Sequence, residues 1–152
     1  MNFRLIANTT SYVLWVEAGF LLLPLAASVL YGEAWLPFFG TAVLCILLGT
    51  ALHLVPVKKA QMHSRDGFMA VALGWIALSL TGALPYAFTG ALTHYVDAVF
   101  ETVSGLTTTG STVFPEVEHL PRSVLLWRSL TQWMGGMGVL VLFLALMPKL
   151  GD

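Results

Sequence analysis

The sequence predicts an all-α integral membrane protein with four transmembrane helices, and a re-entrant pore helix and filter-like loop between the third and the fourth. Three observations carry this prediction. The 152 residues are 57% hydrophobic and only 10% charged, whereas soluble domains carry roughly 25% charged residues. Four hydrophobic segments approach or exceed the roughly 20 residues that cross a hydrocarbon core. A polar loop at residues 107–112, with the sequence TTTGST, lies between the last two.

The four predicted spans are long, and their connections differ in length. They cover residues 12–30, 35–55, 67–88 and 123–147. The first connection is a tight Tyr31-Gly32-Glu33 turn, whereas residues 89–122 form a longer stretch of mixed character. We therefore divide the chain into an amino-terminal two-span hairpin (1–57), a cytoplasmic loop (58–66) and a span–pore loop–span repeat (67–152).

Basic residues predict the orientation of these spans. They occur between spans two and three and near the two ends of the chain: Lys58, Lys59, Arg65, Arg4 and Lys149. The other connections carry Glu33, Asp97, Glu101, Glu116 and Glu118. Because basic loops stay in the cytoplasm, we expect a multi-pass protein of the plasma (inner) membrane with both termini cytoplasmic. Residues 89–122 would then enter the membrane from outside.

The first hydrophobic segment has a second interpretation, a cleaved signal peptide. Arg4 would be its basic region, and Ala26-Ala27-Ser28 would lie near the cleavage site. A retained span is favoured because the apolar stretch is longer than a typical signal core and Glu17 interrupts it. We expect Glu17 to meet a polar partner or lipid headgroups.

The long connection begins with a pattern that predicts a half-length helix over residues 94–104. Its two faces differ, with Val96, Val99, Phe100 and Val103 on one and Asp97, Glu101 and Ser104 on the other. At about 1.5 Å per residue it reaches roughly 16 Å, half of a membrane core. Gly105 follows where a left-handed residue commonly ends a helix. The helix is expected to enter the membrane, stop, and turn the partial negative charge of its carboxyl end towards a cation.

A span, a half-length helix, a polar glycine-containing loop and a second span are the plan of a potassium-channel pore repeat. In such pores carbonyl and hydroxyl oxygens replace the hydration shell of the ion. The alternative is an ordinary extracellular loop with a short amphipathic helix on the membrane surface. The TTTG string is weak evidence by itself, but its combination with the half-length helix and the two spans favours a pore.

Span four carries polar and small residues on one stripe: Arg128, Gln132, Gly135 and Gly136. An arginine inside a span usually faces a partner or a cavity. Arg128 therefore either pairs with Glu101 behind the filter or snorkels to the interface, and the residues leave both possibilities open. The glycines favour close helix packing over a hinge.

Two longer stretches resemble a known family. Residues 97–112 (DAVFETVSGLTTTGST) look like the first pore loop of Trk-type potassium uptake proteins, of the Trk/Ktr/HKT cation transporter superfamily, and residues 126–138 (LWRSLTQWMGGMG) are similar to the helix that follows it. The resemblance implies potassium transport through four such repeats in one subunit, dimers of that subunit, and a cytoplasmic nucleotide-binding regulatory partner. Potassium is the transported ligand, and no cofactor is expected.

The resemblance also assigns the filter residues. Thr108, Thr109 and Gly110 would bind potassium through their carbonyl oxygens, the Thr108 hydroxyl would add an inner ligand, and Thr107 and Ser111 are further candidate ligands. The alternative for each threonine is that its hydroxyl caps local backbone groups.

One loop supplies only one quarter of such a filter. We therefore expect a fragment or truncated form of an uptake subunit, or copies that assemble with other repeats or subunits. The alternative is a non-conducting relic or an assembly partner of complete subunits. We expect no enzyme, since no nucleophile–base set or metal cluster is evident, and no nucleic-acid partner, because the net charge is −1 and no basic stripe is present.

Overall fold

A computed structural model of the chain describes residues 3–55 and 64–146, and in that part the only regular elements are α-helices. In chain order they are α1 (Phe3–Tyr31), α2 (Leu36–His53), α3 (Ser64–Gly82), α4 (Leu84–Phe88), α5 (Tyr95–Leu106) and α6 (Arg122–Leu146). The predicted all-α class is thus confirmed. Lys58, Lys59 and Lys149, on which the predicted orientation partly depends, and the predicted end of span four at Met147 lie outside the described residues.

Three segments of the described chain are long and apolar enough to cross a membrane. They are Ile6–Tyr31, Leu36–His53 and Arg65–Phe88, with mean hydropathies of 2.0, 1.8 and 1.8. Large apolar side chains on their outer faces are exposed, among them Leu22, Leu47 and Ile76, as expected where lipid replaces water. The 25 residues of α6 would extend about 37 Å, but α6 is not among these three segments. The fourth span therefore stays a prediction.

The predicted third span is divided into two helices. α3 ends at Gly82, and α4 begins at Leu84 with Pro85 in its first turn. Proline has no N–H to donate to the preceding turn, and its ring clashes with the carbonyl four residues earlier. At this break the indole Nε1–H of Trp127 donates a hydrogen bond of 2.9 Å to the carbonyl oxygen of Gly82. The break thus joins the third segment to α6.

The helices pack around a core that holds α5 against α3 and α6. α1 contacts α2, α3 and α6, while α5 contacts α6, α3 and α4. The largest fully buried side chains come from four different elements: Leu21, Phe38, Tyr86 and Trp127. This arrangement brings the loop that follows α5 beside the first half of α6.

Glu33, in the turn between α1 and α2, caps the amino end of α6. Its carboxylate accepts hydrogen bonds from the backbone N–H groups of Arg122 (2.7 Å) and Ser123 (2.9 Å) and from the Ser123 hydroxyl. The guanidinium of Arg122 also lies 4.5 Å from the ring centre of Tyr31. The first N–H groups of a helix lack helical partners and favour a negative charge. The amino-terminal hairpin thereby completes the start of α6.

We expect Glu33→Ala to destabilise the fold by about 1 kcal/mol, the usual cost of losing a helix cap. Burial would raise the pKa of Glu33, but the hydrogen bonds from Ser123 and Arg122 and the charge of Arg122 lower it below its ordinary 4.5. Because the pKa is lowered in the fold, this stabilisation is present above about pH 4.5 and is lost as the pH falls through the folded pKa.

Thermal melting across this pH range measures the effect of Glu33. The wild type should lose its advantage over Glu33→Ala in acid, while the exposed Glu118→Ala should match the wild type throughout. A constant difference between Glu33→Ala and the wild type from neutral pH to pH 3 would contradict the carboxylate cap.

Candidate functional site

The half-length helix is present as α5, but its end differs from the prediction. α5 covers 12 residues, Tyr95–Leu106, so Gly105 lies inside the helix and is not a left-handed cap. The first positive φ comes instead at Thr108 (58°), followed by Gly110 (78°). Gly105 has a different role, because a Cβ there would lie 2.4 Å from the hydroxyl oxygen of Thr131 on α6. The glycine is required by the neighbouring helix.

The loop after α5 turns its N–H groups back onto the helix. The backbone N–H groups of Thr109 and Gly110 donate to the carbonyl oxygen of Ser104, at 2.9 and 3.3 Å, and that of Thr108 donates to Gly105 at 2.9 Å. Within the described residues, no hydrogen bond reaches the carbonyl oxygens of residues 107–110, and these four residues are classed as exposed. Four consecutive carbonyl groups are therefore available as cation ligands.

The hydroxyls of the three consecutive threonines, Thr107, Thr108 and Thr109, are not equivalent. That of Thr107 donates to the carbonyl oxygen of Val103 at 2.7 Å and lies 2.8 Å from the hydroxyl of Thr109. Thr107 therefore adopts the capping alternative, and Thr109 is tied to it. The Thr108 hydroxyl makes no hydrogen bond within the described part of the chain. The carbonyl oxygen of Ser111 accepts a hydrogen bond from the hydroxyl of Ser104, which distinguishes it from the four carbonyls before it.

Glu101 connects the helix, the loop and α6. Its side chain is buried. The carboxylate accepts hydrogen bonds from the hydroxyl of Thr112 at 3.0–3.1 Å and from the backbone N–H of Val113 at 3.1 Å. The Thr112 hydroxyl in turn accepts from the N–H of Phe114 at 3.1 Å. The segment that leaves the loop is thereby attached to the middle of α5.

Arg128 supplies the positive charge beside this carboxylate. Its Nε–H donates to a Glu101 oxygen at 2.6 Å, with the side chains 21% and 1% exposed respectively. The sequence left two positions open for Arg128, a pair with Glu101 or an extension to the membrane interface. The structure has the pair. A paired and hydrogen-bonded charge is the arrangement in which a buried carboxylate is tolerated. The pair links α5 to α6 behind the loop.

Small residues let α5 and α6 approach closely. A Cβ on Gly135 would lie 2.0 Å from the backbone oxygen of Leu106, whereas one on Gly136 would meet only the methyl group of Thr108, at 3.8 Å. Gln132, between Arg128 and these glycines, has its amide nitrogen 3.7 Å from the position of a Cβ on Gly110. The stripe predicted on the fourth span therefore lies on α6, along the end of α5 and the loop.

Sequence reasoning missed three residues of this site. Ser104 and Thr112 were counted as face and loop residues, although their hydroxyls bond to the loop and to Glu101. Their position in a run of hydroxyl residues around one glutamate was the available signal. Thr131 carried no signal, because its contact with Gly105 depends on how two helices cross.

Comparisons with known proteins agree on one group of proteins. Residues 36–152 match the family described as TrkH: Cation transport protein. The Trk system potassium uptake protein TrkH of Halomonas elongata is 40% identical over 155 aligned positions, which cover 99% of this chain and 32% of that protein. The Escherichia coli K12 protein of the same name is 36% identical over 154 positions, with the same coverage.

A solved structure shares the fold. The crystal structure of the potassium transporter TrkH from Vibrio parahaemolyticus superposes with a TM-score of 0.91 at 35% identity, covering 100% of this chain and 33% of that one. The chain spans about a third of the length of the curated relatives it matches.

Proposed function

The chain belongs to the TrkH family of cation transport proteins, and from this membership we propose that it supplies the first pore repeat of a potassium uptake subunit. Its curated relatives are potassium uptake proteins. Their activity belongs to chains about three times as long, of which this sequence corresponds to 32%. The proposal therefore concerns what these residues contribute to a pore.

The observation that carries the proposal is the row of carbonyl oxygens at residues 107–110, which accept no hydrogen bond within the described chain. Backbone oxygens replace the water around potassium in filters of this kind. We assign the ion to the carbonyls of Thr108, Thr109 and Gly110, with Thr107 beside them and the free hydroxyl of Thr108 as a further oxygen. Ser111 takes a smaller part, because its carbonyl is held by Ser104.

The same proposal makes α5 a re-entrant pore helix. Its 12 residues extend about 18 Å, too short for the roughly 30 Å of a hydrocarbon core. Its carboxyl end precedes the filter, where the partial negative charge of a helix favours a cation. α6 is then the fourth span, the hairpin 1–57 precedes the repeat 67–152, and both termini are cytoplasmic in the plasma (inner) membrane.

One loop of this kind is a quarter of a ring. The apolar face of α5 supports further repeats around it, since Val96, Phe100 and Val103 are 76%, 48% and 38% exposed. We propose that other repeats or subunits cover this face and complete the filter, and that a cytoplasmic nucleotide-binding subunit regulates the assembly. The chain by itself then has no closed pore.

Rubidium uptake by cells that lack their own potassium uptake tests the proposal. The complete product of the gene should restore uptake, whereas residues 1–152 expressed alone should reach the membrane without conducting. Uptake by residues 1–152 alone would show that copies assemble into a ring. No uptake in either case, with both proteins in the membrane, would favour a non-conducting relic or an assembly partner.

We predict that Gly110→Ser weakens the preference for potassium over sodium roughly ten-fold. The φ of Gly110 is 78°, a conformation that costs a residue with a side chain about 1–2 kcal/mol. No steric clash adds to this cost, because a Cβ there would be 3.7 Å from its nearest neighbour. Competition of sodium with rubidium uptake measures the preference.

Gly90→Ser is the matched control for Gly110→Ser. Gly90 has a φ of +74° and open space around its Cβ position, but it lies before α5. It should show a similar backbone strain with unchanged ion preference. Equal ion preference in Gly110→Ser and the wild type would exclude Gly110 from the filter.

A further inference from the structure

A carboxyl group that the proposed pore does not use is buried where α1 meets α2 and α3. Glu17 is 1% exposed, inside the segment with the highest mean hydropathy, 2.0. Its Oε2 lies 2.6 Å from the hydroxyl oxygen of Thr81 on α3 and 3.7 Å from the sulfur of Cys45 on α2. A Cβ on Gly82 would lie 3.0 Å from its other oxygen. The carboxyl group is therefore almost completely removed from solvent.

No positive charge balances Glu17 in the described part of the chain. There the guanidinium of Arg128 pairs with Glu101, and the imidazole of His119 lies beside Glu116. Around Glu17, α2 presents the titratable Cys45, α3 presents Thr81, and Gly82 is flanked by Thr102 of α5 and Trp127 of α6. An isolated carboxylate at such a position carries a large desolvation cost. A neutral acid carries a much smaller one.

The hydrogen-bond distances around Thr81 agree with the neutral form. The Thr81 oxygen lies 2.7 Å from the carbonyl oxygen of Ala77 as well as 2.6 Å from Glu17. A hydroxyl has one proton to donate, and a carbonyl oxygen has none. When the hydroxyl of Thr81 donates its one proton to Ala77, the proton between Thr81 and Glu17 comes from Glu17.

We propose that Glu17 is a proton-binding site, held as a neutral carboxylic acid whose O–H donates to Thr81 and joins the first helix to the third. In this hydrogen-bond series Glu17 donates to Thr81 and Thr81 donates to Ala77, so every donor has an acceptor. The thiol of Cys45 can donate to the carboxyl oxygen from α2. Glu17 takes no part in the proposed filter, and its protonation does not depend on whether potassium passes.

Infrared spectroscopy of the complete gene product in lipid tests this protonation directly. At neutral pH the wild type should show the carbonyl stretching band of a protonated carboxylic acid, and Glu17→Gln should lose that band. Glu33→Gln is the control and should keep it, since Glu33 accepts hydrogen bonds from two N–H groups and a hydroxyl, and its lowered pKa keeps it ionised at neutral pH. Identical wild-type and Glu17→Gln spectra in the acid region would overturn the proposal.

Thermal melting supplies a second readout with a definite sign. A glutamine amide can donate to Thr81 as the neutral acid does, so Glu17→Gln should melt at the same temperature as the wild type or higher. Thr81→Val removes the acceptor and should melt lower. If Glu17 is instead ionised and holds a cation, Glu17→Gln will melt lower, and potassium or sodium will raise the melting temperature of the wild type alone.

An apolar groove gives chemical access to the same group. It has a volume of about 510 Å³, and its lining includes Glu17, Val16 and Phe20 of α1, Leu78 of α3, and Trp133 and Met137 of α6. Dicyclohexylcarbodiimide, an apolar reagent, adds to protonated carboxyl groups. The carboxyl oxygen bonds to the central carbon of the reagent, the proton moves to a nitrogen, and nothing leaves.

Mass spectrometry of the labelled protein locates this adduct. It should form at Glu17 and not at Glu101, which is paired with Arg128, and potassium should not protect against it. Protection by potassium, or labelling of Glu101 in preference to Glu17, would contradict a protonated Glu17.

Discussion

Gly135→Ala should destabilise the fold by about 3 kcal/mol or more and abolish uptake by the complete protein. The added Cβ would lie 2.0, 2.6 and 2.8 Å from the oxygen, carbonyl carbon and Cα of Leu106. These are backbone atoms at the last residue of α5, so no side-chain rotation can relieve the contact. Overpacking of a tight core typically costs 1–3 kcal/mol, and a contact with fixed backbone lies at the upper end of that range. α5 and α6 must move apart, and the loop moves with α5.

Gly136→Ala is the matched control, one residue further along the same helix. Its Cβ would meet the methyl group of Thr108 at 3.8 Å, an ordinary contact. Alanine also favours a helix by about 1 kcal/mol over glycine, so this variant should melt at or above the wild-type temperature. Thermal melting in detergent and rubidium uptake measure both variants. Equal melting of Gly135→Ala and the wild type would show that α5 and α6 do not approach in this way.

Glu101→Ala should cost about 3 kcal/mol, because it breaks a buried ion pair and leaves its partner uncompensated. The change leaves the guanidinium of Arg128 without its partner. It also removes the acceptor for the hydroxyl of Thr112 and for the backbone N–H of Val113. The segment that leaves the loop then loses its attachment to α5. We expect a lower melting temperature and, in the complete protein, loss of ion discrimination.

Glu116→Ala provides the comparison for Glu101→Ala. Glu116 also lies beside a basic side chain, the imidazole of His119 at 3.2 Å, but the two side chains are 72% and 80% exposed. Such exposed pairs contribute about 0–1 kcal/mol, so this variant should behave as the wild type.

Reversal of the charges tests the contact between Glu101 and Arg128. Glu101→Arg combined with Arg128→Glu should recover part of the loss that each single change causes. The recovery is partial because arginine cannot accept the hydrogen bonds of Thr112 and Val113. Melting temperatures of the single and double variants provide the measurement, and strictly additive losses would contradict the contact.

Much of the architecture was predictable because it depends on the order of residues that are close together in the sequence. Hydrophobic length predicted the all-α membrane class, and the resemblance of residues 97–112 predicted the family, which the comparisons confirm. Helical periodicity predicted α5 and put Glu101 on a face apart from Phe100. The structure buries Glu101 and leaves Phe100 48% exposed. The polar face of α5 therefore packs inside, the reverse of a soluble amphipathic helix.

Other predictions failed or stayed open because they depend on contacts between distant segments. Gly105 looked like a helix cap, yet it lies inside α5, and its missing side chain makes room for Thr131. The break in the third span could have been predicted from Pro85, which lies in the first turn of α4. The span was drawn from hydrophobicity, which does not distinguish one helix from two. The predicted filter residues remain a proposal that uptake measurements can test.

By itself the sequence determined a helical membrane protein of the TrkH family, with a half-length helix and a polar glycine loop between hydrophobic segments. These properties follow from composition, periodicity and motif, which are set by neighbouring residues. Only the tertiary structure decided that Arg128 pairs with Glu101, 27 positions away, and that Glu17 meets Thr81, 64 positions away. A charge inside an apolar protein is tolerated only beside a suitable partner, and the packing of whole helices selects that partner.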